Sequence, residues 1–211
     1  MTLEGRYVVV RPVDPAAHGE SLFAGLGGAE RAPLWTYMFD GPFSDRAALD
    51  QFLRKRVTSD DPFTFAITDA VSRKALGLAS LMRIDTRHRV IEVGGIIYAP
   101  ELQKTRGATE AMYLLARYVF EELGYRRYEW KCNALHSASR RAALRLGFTF
   151  EGIFRQHMII KGRTRDTAWF AMIDEDWPRI KAEFERWLDP RNFDVQGKQK
   201  TPLRQPTSAS P

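Results

Sequence analysis

The sequence holds a single cysteine, Cys132, in 211 residues, so no internal disulfide can brace the chain. Its four histidines, His18, His88, His136 and His157, are scattered without the spacing of metal ligands, and structural zinc drops out as well. No stretch approaches the roughly 20 apolar residues needed to cross a bilayer. Residues 1 to 11 carry no apolar run behind a basic start. These absences point to a cytoplasmic protein with no membrane partner. Missing too is Gly-x-x-x-x-Gly-Lys-Ser/Thr, which sets aside a nucleotide-hydrolysing P-loop, and Gly-x-Gly-x-x-Gly after a strand. Gly25-Leu-Gly-Gly28 follows a helix pattern and only imitates the second.

What is present is an ordinary globular composition, 44% hydrophobic and 27% charged, which excludes wholesale disorder and coiled coil. The length suits one domain. The formal charge is +6, and Arg126, Arg127, Lys131, Arg140, Arg141 and Arg145 against Glu129 concentrate it in one short segment. Such a patch can meet nucleic acid, an acidic protein or a phosphorylated cofactor.

Residue patterning predicts the order of elements. Tyr7 to Val13 is a strand ending at Asp14, a helix N-cap before Pro15. Residues 25 to 42 form an irregular loop rich in glycine and proline around Leu34, Trp35, Tyr37, Met38 and Phe39, after which Ser44 caps a second helix. Phe63 to Thr68, Leu76 to Ile84 and Val90 to Tyr98 read as a meander of strands. A helix from about Thr109 to Leu123 stops at Gly124, and Tyr128, Trp130 and Cys132 then alternate with charged residues in a strand. A short helix from Ser137 to Gly147 follows. Phe148 to Phe154, Gln156 to Ile160 and Asp166 to Ile173 are three further strands, and a helix from about Pro178 to Leu188 closes the fold. The expected architecture is of the α/β (α+β) class, a mixed, mostly antiparallel sheet flanked by helices, over residues 1 to 188. From Asp189 to Pro211 the composition predicts a disordered tail.

The chemistry concentrates where Tyr98-Ala-Pro-Glu-Leu-Gln-Lys-Thr-Arg-Gly-Ala-Thr109 leaves a strand and enters a helix. Free backbone N–H groups and the positive end of the helix dipole there suit a phosphate. Gly107 and Ala108 let it approach, and Lys104 and Arg106 add charge. Gln103-x-x-Arg106-x-Ala108-Thr109-Glu110-Ala111, Trp130-Lys-Cys-Asn133 and Ser139-Arg-Arg-Ala-Ala-Leu-Arg-Leu-Gly-Phe148 together resemble the GNAT superfamily of acyl-CoA-dependent N-acyltransferases. Leu3-Glu-Gly-Arg6, Trp35-Thr-Tyr-Met38, Gly41-Pro-Phe43 and Asp166-Thr-Ala-Trp-Phe170 are similar to the Rim-type branch, related to ribosomal-protein N-terminal acetyltransferases. The resemblance implies a sheet splayed in its middle, with acetyl-CoA held there: its diphosphate by Gln103, Lys104, Thr105, Arg106, Gly107, Ala108 and Thr109, its pantetheine arm by Asn133. Arg106 stands where this pattern usually has its first glycine, and His136 where an asparagine is common.

Transfer to an amine needs a neutral nucleophile, and a lysine amine titrates at about 10.4, so a base must take the proton. The resemblance implies Glu92 as that base, Ser139 as donor to the leaving thiolate, and an acceptor that is a small molecule or a peptide N-terminus. A backbone N–H at Ile97 or Tyr98 would stabilise the thioester oxygen, with Gly94 and Gly95 allowing a bulge. Trp35, Tyr37 and Asp40 would line the acceptor pocket. A Cys132–His136 nucleophile pair is the lesser alternative, since an alternating cysteine is more often core. A basic nucleic-acid or ribosome-binding module on the same fold is the alternative function, ranked lower because no interleaving of aromatic and basic residues appears. A homodimer is compatible with the sequence.

Overall fold

The computed structural model describes residues 1 to 203. Its elements are β1 (Leu3–Glu4), β2 (Val8–Pro12), α1 (Pro15–Leu26), a 3₁₀ segment (Ala29–Trp35), α2 (Arg46–Val57), β3 (Phe63–Asp69), β4 (Ala75–Asp85) and β5 (Val90–Tyr98). Then come α3 (Arg106–Arg117), continued by a π turn (Tyr118–Glu122), β6 (Arg127–Asn133), α4 (Ser137–Arg145), β7 (Thr149–Ile160), β8 (Arg163–Ile173) and α5 (Trp177–Leu188). The strands form one eight-stranded sheet in the order β1-β2-β3-β4-β5-β6-β8-β7. Its one parallel pair is β5 with β6, bridged by α3, and the remaining neighbours are antiparallel.

Strand alternation divides the core into two layers. Phe65, Ile67, Ile91, Val93, Tyr128 and Trp130 point to the face packed by α3 and α5. Ala66, Leu78 and Ile97 point the other way, onto Leu22 and Leu26 of α1 and Leu49 and Leu53 of α2. On that second face, β4 to β6 continue with Ser80, Met82, Glu92, Glu129 and Lys131, past the apolar cluster formed with α1 and α2.

Several local expectations change. Asp45, one residue beyond the predicted cap, accepts the Ala48 N–H, and the Ser44 hydroxyl donates to Asp45 instead of to the helix. The carboxylate is the stronger acceptor for a helix N-terminus. α3 starts three residues before Thr109, because Thr105 caps it by accepting from Ala108 N at 3.2 Å. The predicted strands Phe148 to Phe154 and Gln156 to Ile160 are one bent strand, β7, whose register against β8 slips between Phe154 and Met158 while Gln156 adopts a left-handed φ of 50°. The expected tail is also ordered to Leu203: Phe193 and Leu203 are buried, Trp187 Nε1 donates to Gln199 Oε1, and Asn192 binds Thr201. Two apolar anchors and an amide side chain suffice to dock a segment whose composition is otherwise polar. Residues 204 to 211 of that predicted tail lie outside the described residues.

One buried carboxylate ties the N-terminal strand to the central helix. Glu110, 6% exposed, accepts from the N–H groups of Arg6, Tyr7 and Val8 at 2.9, 2.7 and 2.9 Å. Gly5 is required beside it, since a Cβ there would lie 2.4 Å from Glu110 Oε2. Glu110→Ala strands these donors and is expected to cost about 2 to 4 kcal/mol of unfolding free energy. Glu110→Gln, which keeps one acceptor oxygen, should cost less. Urea denaturation of both variants checks this through the midpoints at unchanged slope.

Candidate active site

The site begins where β5 and β6 separate. Their parallel pairing runs from Val90↔Arg127 to Val93↔Trp130. Beyond it, β5 stays with β4 as far as Gly77↔Tyr98, while β6 stays with β8 as far as Asn133↔Thr167. A bulge opens the gap: Ser80 pairs Gly94 and Leu78 pairs Ile97, so β5 spends an extra residue there. Gly95 takes a left-handed φ of 59° at that point, which glycine adopts without strain. Ala99 N donates to Leu76 O at 2.8 Å, so by antiparallel alternation the Tyr98 N–H faces away from β4, into the gap.

At the far end of the gap the loop after β5 turns into α3. Gln103 Nε2 donates to Tyr98 O at 3.0 Å and fastens loop to strand, and Lys104 takes a left-handed φ of 61°. The N–H groups of Arg106 and Gly107, in the first helical turn, lie beyond the reach of α3's own carbonyls. Arg106 keeps helical backbone, and its guanidinium lies over the rings of Tyr7 and Phe193 at 4.5 and 4.8 Å. The side chain in the first-glycine position is thereby held off the loop. Gly107 is small for the sake of the fold: a Cβ there would lie 2.8 Å from Val8 Cγ1. Thr109 is buried and its hydroxyl accepts from Arg145 Nη1 at 3.1 Å. Uncovered N–H groups, small residues and an outward-turned Arg106 fit a diphosphate group.

On the β6 side, Asn133 Oδ1 accepts from Leu135 N at 2.9 Å, which turns the chain and leaves the Asn133 amide N–H₂ as a donor. Ser139, in the first turn of α4, accepts from Trp130 Nε1 at 3.0 Å. An indole nitrogen only donates, so the Ser139 hydroxyl proton points to an acceptor elsewhere, the Cys132 sulfur being one within reach. Cys132 lies beside it, 6% exposed, with its thiol pushed up by burial and drawn partly back by Ser139. His136 stacks on Tyr37 at 4.4 Å between ring centres, and burial, with Arg165 nearby, holds it below the usual imidazole range. A high thiol and a stacked imidazole do not make a nucleophile pair.

The second face carries an ion network the sequence reading did not anticipate. Glu92, 3% exposed, accepts at Oε2 from Arg83 Nη1 at 2.6 Å and Lys131 Nζ at 2.9 Å. Lys131 also binds Glu129 at 2.6 Å and sits 3.9 Å from the centre of the Trp169 ring. Burial works to raise Glu129, yet Lys131 and Arg127 hold it below the ordinary carboxylate range. Gly94 lets Met82 pack close beside Glu92, since a Cβ there would meet Met82 Sδ at 2.3 Å and Glu92 Oε1 at 3.3 Å. Period two along β6 puts Arg127, Glu129 and Lys131 on one face, but their partners come from β4, β5 and β7, which no local pattern aligns.

The N-terminal loop roofs this face. Trp35 is 1% exposed, donates Nε1 to Leu26 O and packs edge-on to Phe43 and Phe52, so it is a core side chain bordering a cavity of about 30 Å³ with Asp40, Ser80, Gly95 and Ile97. Asp40 is paired to Arg56 at 2.6 Å. Lys161, at the tip of the β7–β8 hairpin, donates to the carbonyls of Trp35 and Asp40, both at 2.9 Å, and closes the roof. A second hollow of about 330 Å³, lined by Arg6, Glu110 and Tyr113, belongs to the N-terminal anchorage.

An acetyltransferase (GNAT) domain family model matches residues 8–149. The structure is similar to a GCN5-related N-acetyltransferase from Brucella melitensis, at 47% identity and TM-score 0.94, over 96% of this chain and 92% of the other. It is similar also to a probable acetyltransferase of the GNAT family from Chromobacterium violaceum ATCC 12472, at 38% identity and TM-score 0.78, over 84% and 88%. Among curated proteins, the uncharacterized N-acetyltransferase YoaA of Bacillus subtilis (strain 168) is 28% identical over 102 residues, 48% of this chain. The matching part spans 57% of that relative's length.

Cys132 supplies a test of the direct route to an amine. Its raised pKa predicts slow alkylation by iodoacetamide at neutral pH, accelerating only above the normal thiol range, and rapid reaction in urea. Cys132→Ala should keep turnover while costing about 1 kcal/mol of stability. Loss of turnover in the folded variant would restore a thiol intermediate.

Proposed function

The chain belongs to the GNAT acetyltransferase family, and from that premise we propose that it moves an acetyl group from acetyl-CoA to a primary amine, of a small molecule or a peptide N-terminus, by direct attack. The similarity of these motifs to the Rim-type branch speaks for a peptide amine among the acceptors. The observation that carries this reading is the gap between β5 and β6, lined by the inward Tyr98 N–H and ending at the N-terminus of α3.

When bound, acetyl-CoA supplies an activated thioester. The N–H groups of Arg106 and Gly107 and the α3 dipole would hold its diphosphate, and the Asn133 amide its pantetheine. The amine approaches from the second face, where Glu92 takes its proton. Arg83 and Lys131 grip Oε2 and fix the carboxylate's orientation, leaving Oε1, among the described residues, without an ion-pair partner beside Gly94 and Met82. The Tyr98 N–H donates to the acyl oxygen as charge develops there. Ser139, already accepting from Trp130, would offer its hydroxyl proton as a hydrogen bond to the thiol end of the cofactor.

Acetyl-CoA at 100 times its dissociation constant is expected to stabilise the protein by about 2.7 kcal/mol, read as a thermal shift. No shift at millimolar concentration contradicts the proposal. Glu92→Gln should reduce kcat/KM by about 100-fold, more at low pH than at high pH, where more of the amine is already neutral. Ser139→Ala should reduce kcat by about 10- to 100-fold with the cofactor-induced shift intact. A thiol-release assay across pH measures both; an unchanged pH profile in Glu92→Gln removes Glu92 as base.

A further inference from the structure

Among the described residues, Arg165 is a buried cation on this face that has no carboxylate partner. It is 6% exposed, its Nε donates to Thr167 Oγ1 at 3.1 Å, and its guanidinium lies 5.1 Å from the centre of the Phe39 ring. Among the described residues its two terminal nitrogens have no hydrogen-bond or ion-pair partner. The nearby acids are committed elsewhere: Glu92 to Arg83 and Lys131, Asp40 to Arg56, and Asp166 Oδ1 to the Gln156 N–H. Lys131, equally buried, has two carboxylates. Desolvation costs a buried charge heavily unless an opposite charge or hydrogen bonds repay it, and an arginine cannot escape by losing its proton.

The position of Arg165 tells what that opposite charge belongs to. Along β8, Arg165, Thr167 and Trp169 share the face that carries Lys131 and Glu92, opposite Ala168 and Phe170, which face α3. Arg165 is within electrostatic reach of Cys132, of Glu92 and of His136 at the end of β6. The same hairpin holds the loop carrying Phe39 in place through Lys161. The cradle at α3 opens on the other face, so an anion on Arg165 is not the cofactor's diphosphate.

We propose that Arg165 receives a carboxylate borne by the acceptor, so that the substrate is a small primary amine carrying a carboxylate within a few bonds of its nitrogen. This rests on acetyl transfer to an amine at Glu92. Two terminal guanidinium nitrogens offer a parallel pair of donors, which a carboxylate matches with both oxygens. The amine at Glu92 and the carboxylate at Arg165 then fix the acceptor at two points.

The experiment measures thiol release from acetyl-CoA with matched sets of amines: free amino acids, their carboxamides, the decarboxylated amines, and linear polyamines and phosphoethanolamine as comparisons. For the side chain best accepted, kcat/KM should be roughly 100-fold higher for the carboxylate than for its carboxamide. Arg165→Gln should erase that ratio by lowering the carboxylate value alone, and Arg165→Lys should keep part of it. A purely structural role would lower both members together. An unchanged ratio in Arg165→Gln, or preference for carboxamides, polyamines or phosphoethanolamine, overturns the assignment. Acetyl-CoA-induced thermal stabilisation without turnover of any carboxylate-bearing member overturns it too and leaves acetyl transfer standing. Absence of both stabilisation and thiol release fails the transfer itself.

Discussion

The parting of β5 from β6 after Val93 and Trp130 is the constraint on which the site depends. Each strand has a second partner that outbids the parallel contact: β4 keeps β5 through Tyr98, and β8 keeps β6 through Asn133. Two antiparallel ladders therefore hold open a seam that parallel pairing would close. The extra residue at Gly95 turns β5 away at the place where pairing ends.

The two faces of the seam divide the labour. On the α3 side, the proposed place of the anionic cofactor is the start of the helix, where even the departing arginine, Arg106, is tied back by Tyr7 and Phe193. The supposedly structureless tail contributes Phe193 to that arrangement. On the other face, charge is nearly balanced pair by pair, from Arg127 with Glu151 and Glu129 to Lys131 with Glu129 and Glu92. Such a network orients side chains more than it stabilises the fold, because desolvation consumes much of the Coulomb gain.

Much of the fold was legible in local pattern. Strand-like runs between short polar turns marked β3 to β5, period-two alternation marked β6, and the apolar stripe of Ala111, Met112, Leu115 and Val119 marked α3. The strand-to-helix junction before α3 and the placement of Ser139 beside the strand end were legible too. Glu110 was not, since its three backbone donors lie about a hundred residues earlier in the chain. Arg165 and the ion network were missed for the same reason: their meaning is set by neighbours on other strands. The core role of Trp35 was not legible, because aromatic residues in a glycine-rich loop carry no period; the structure packs it in the second core layer while it also borders a cavity.

Amide hydrogen exchange with and without coenzyme A addresses the seam directly. Protection on binding is predicted to concentrate at residues 94–98 of β5 and 104–109 at the start of α3, with lesser change at 133–139. Protection absent from both segments, or confined to the basic surface of α4, would contradict a cofactor seated between the diverging strands.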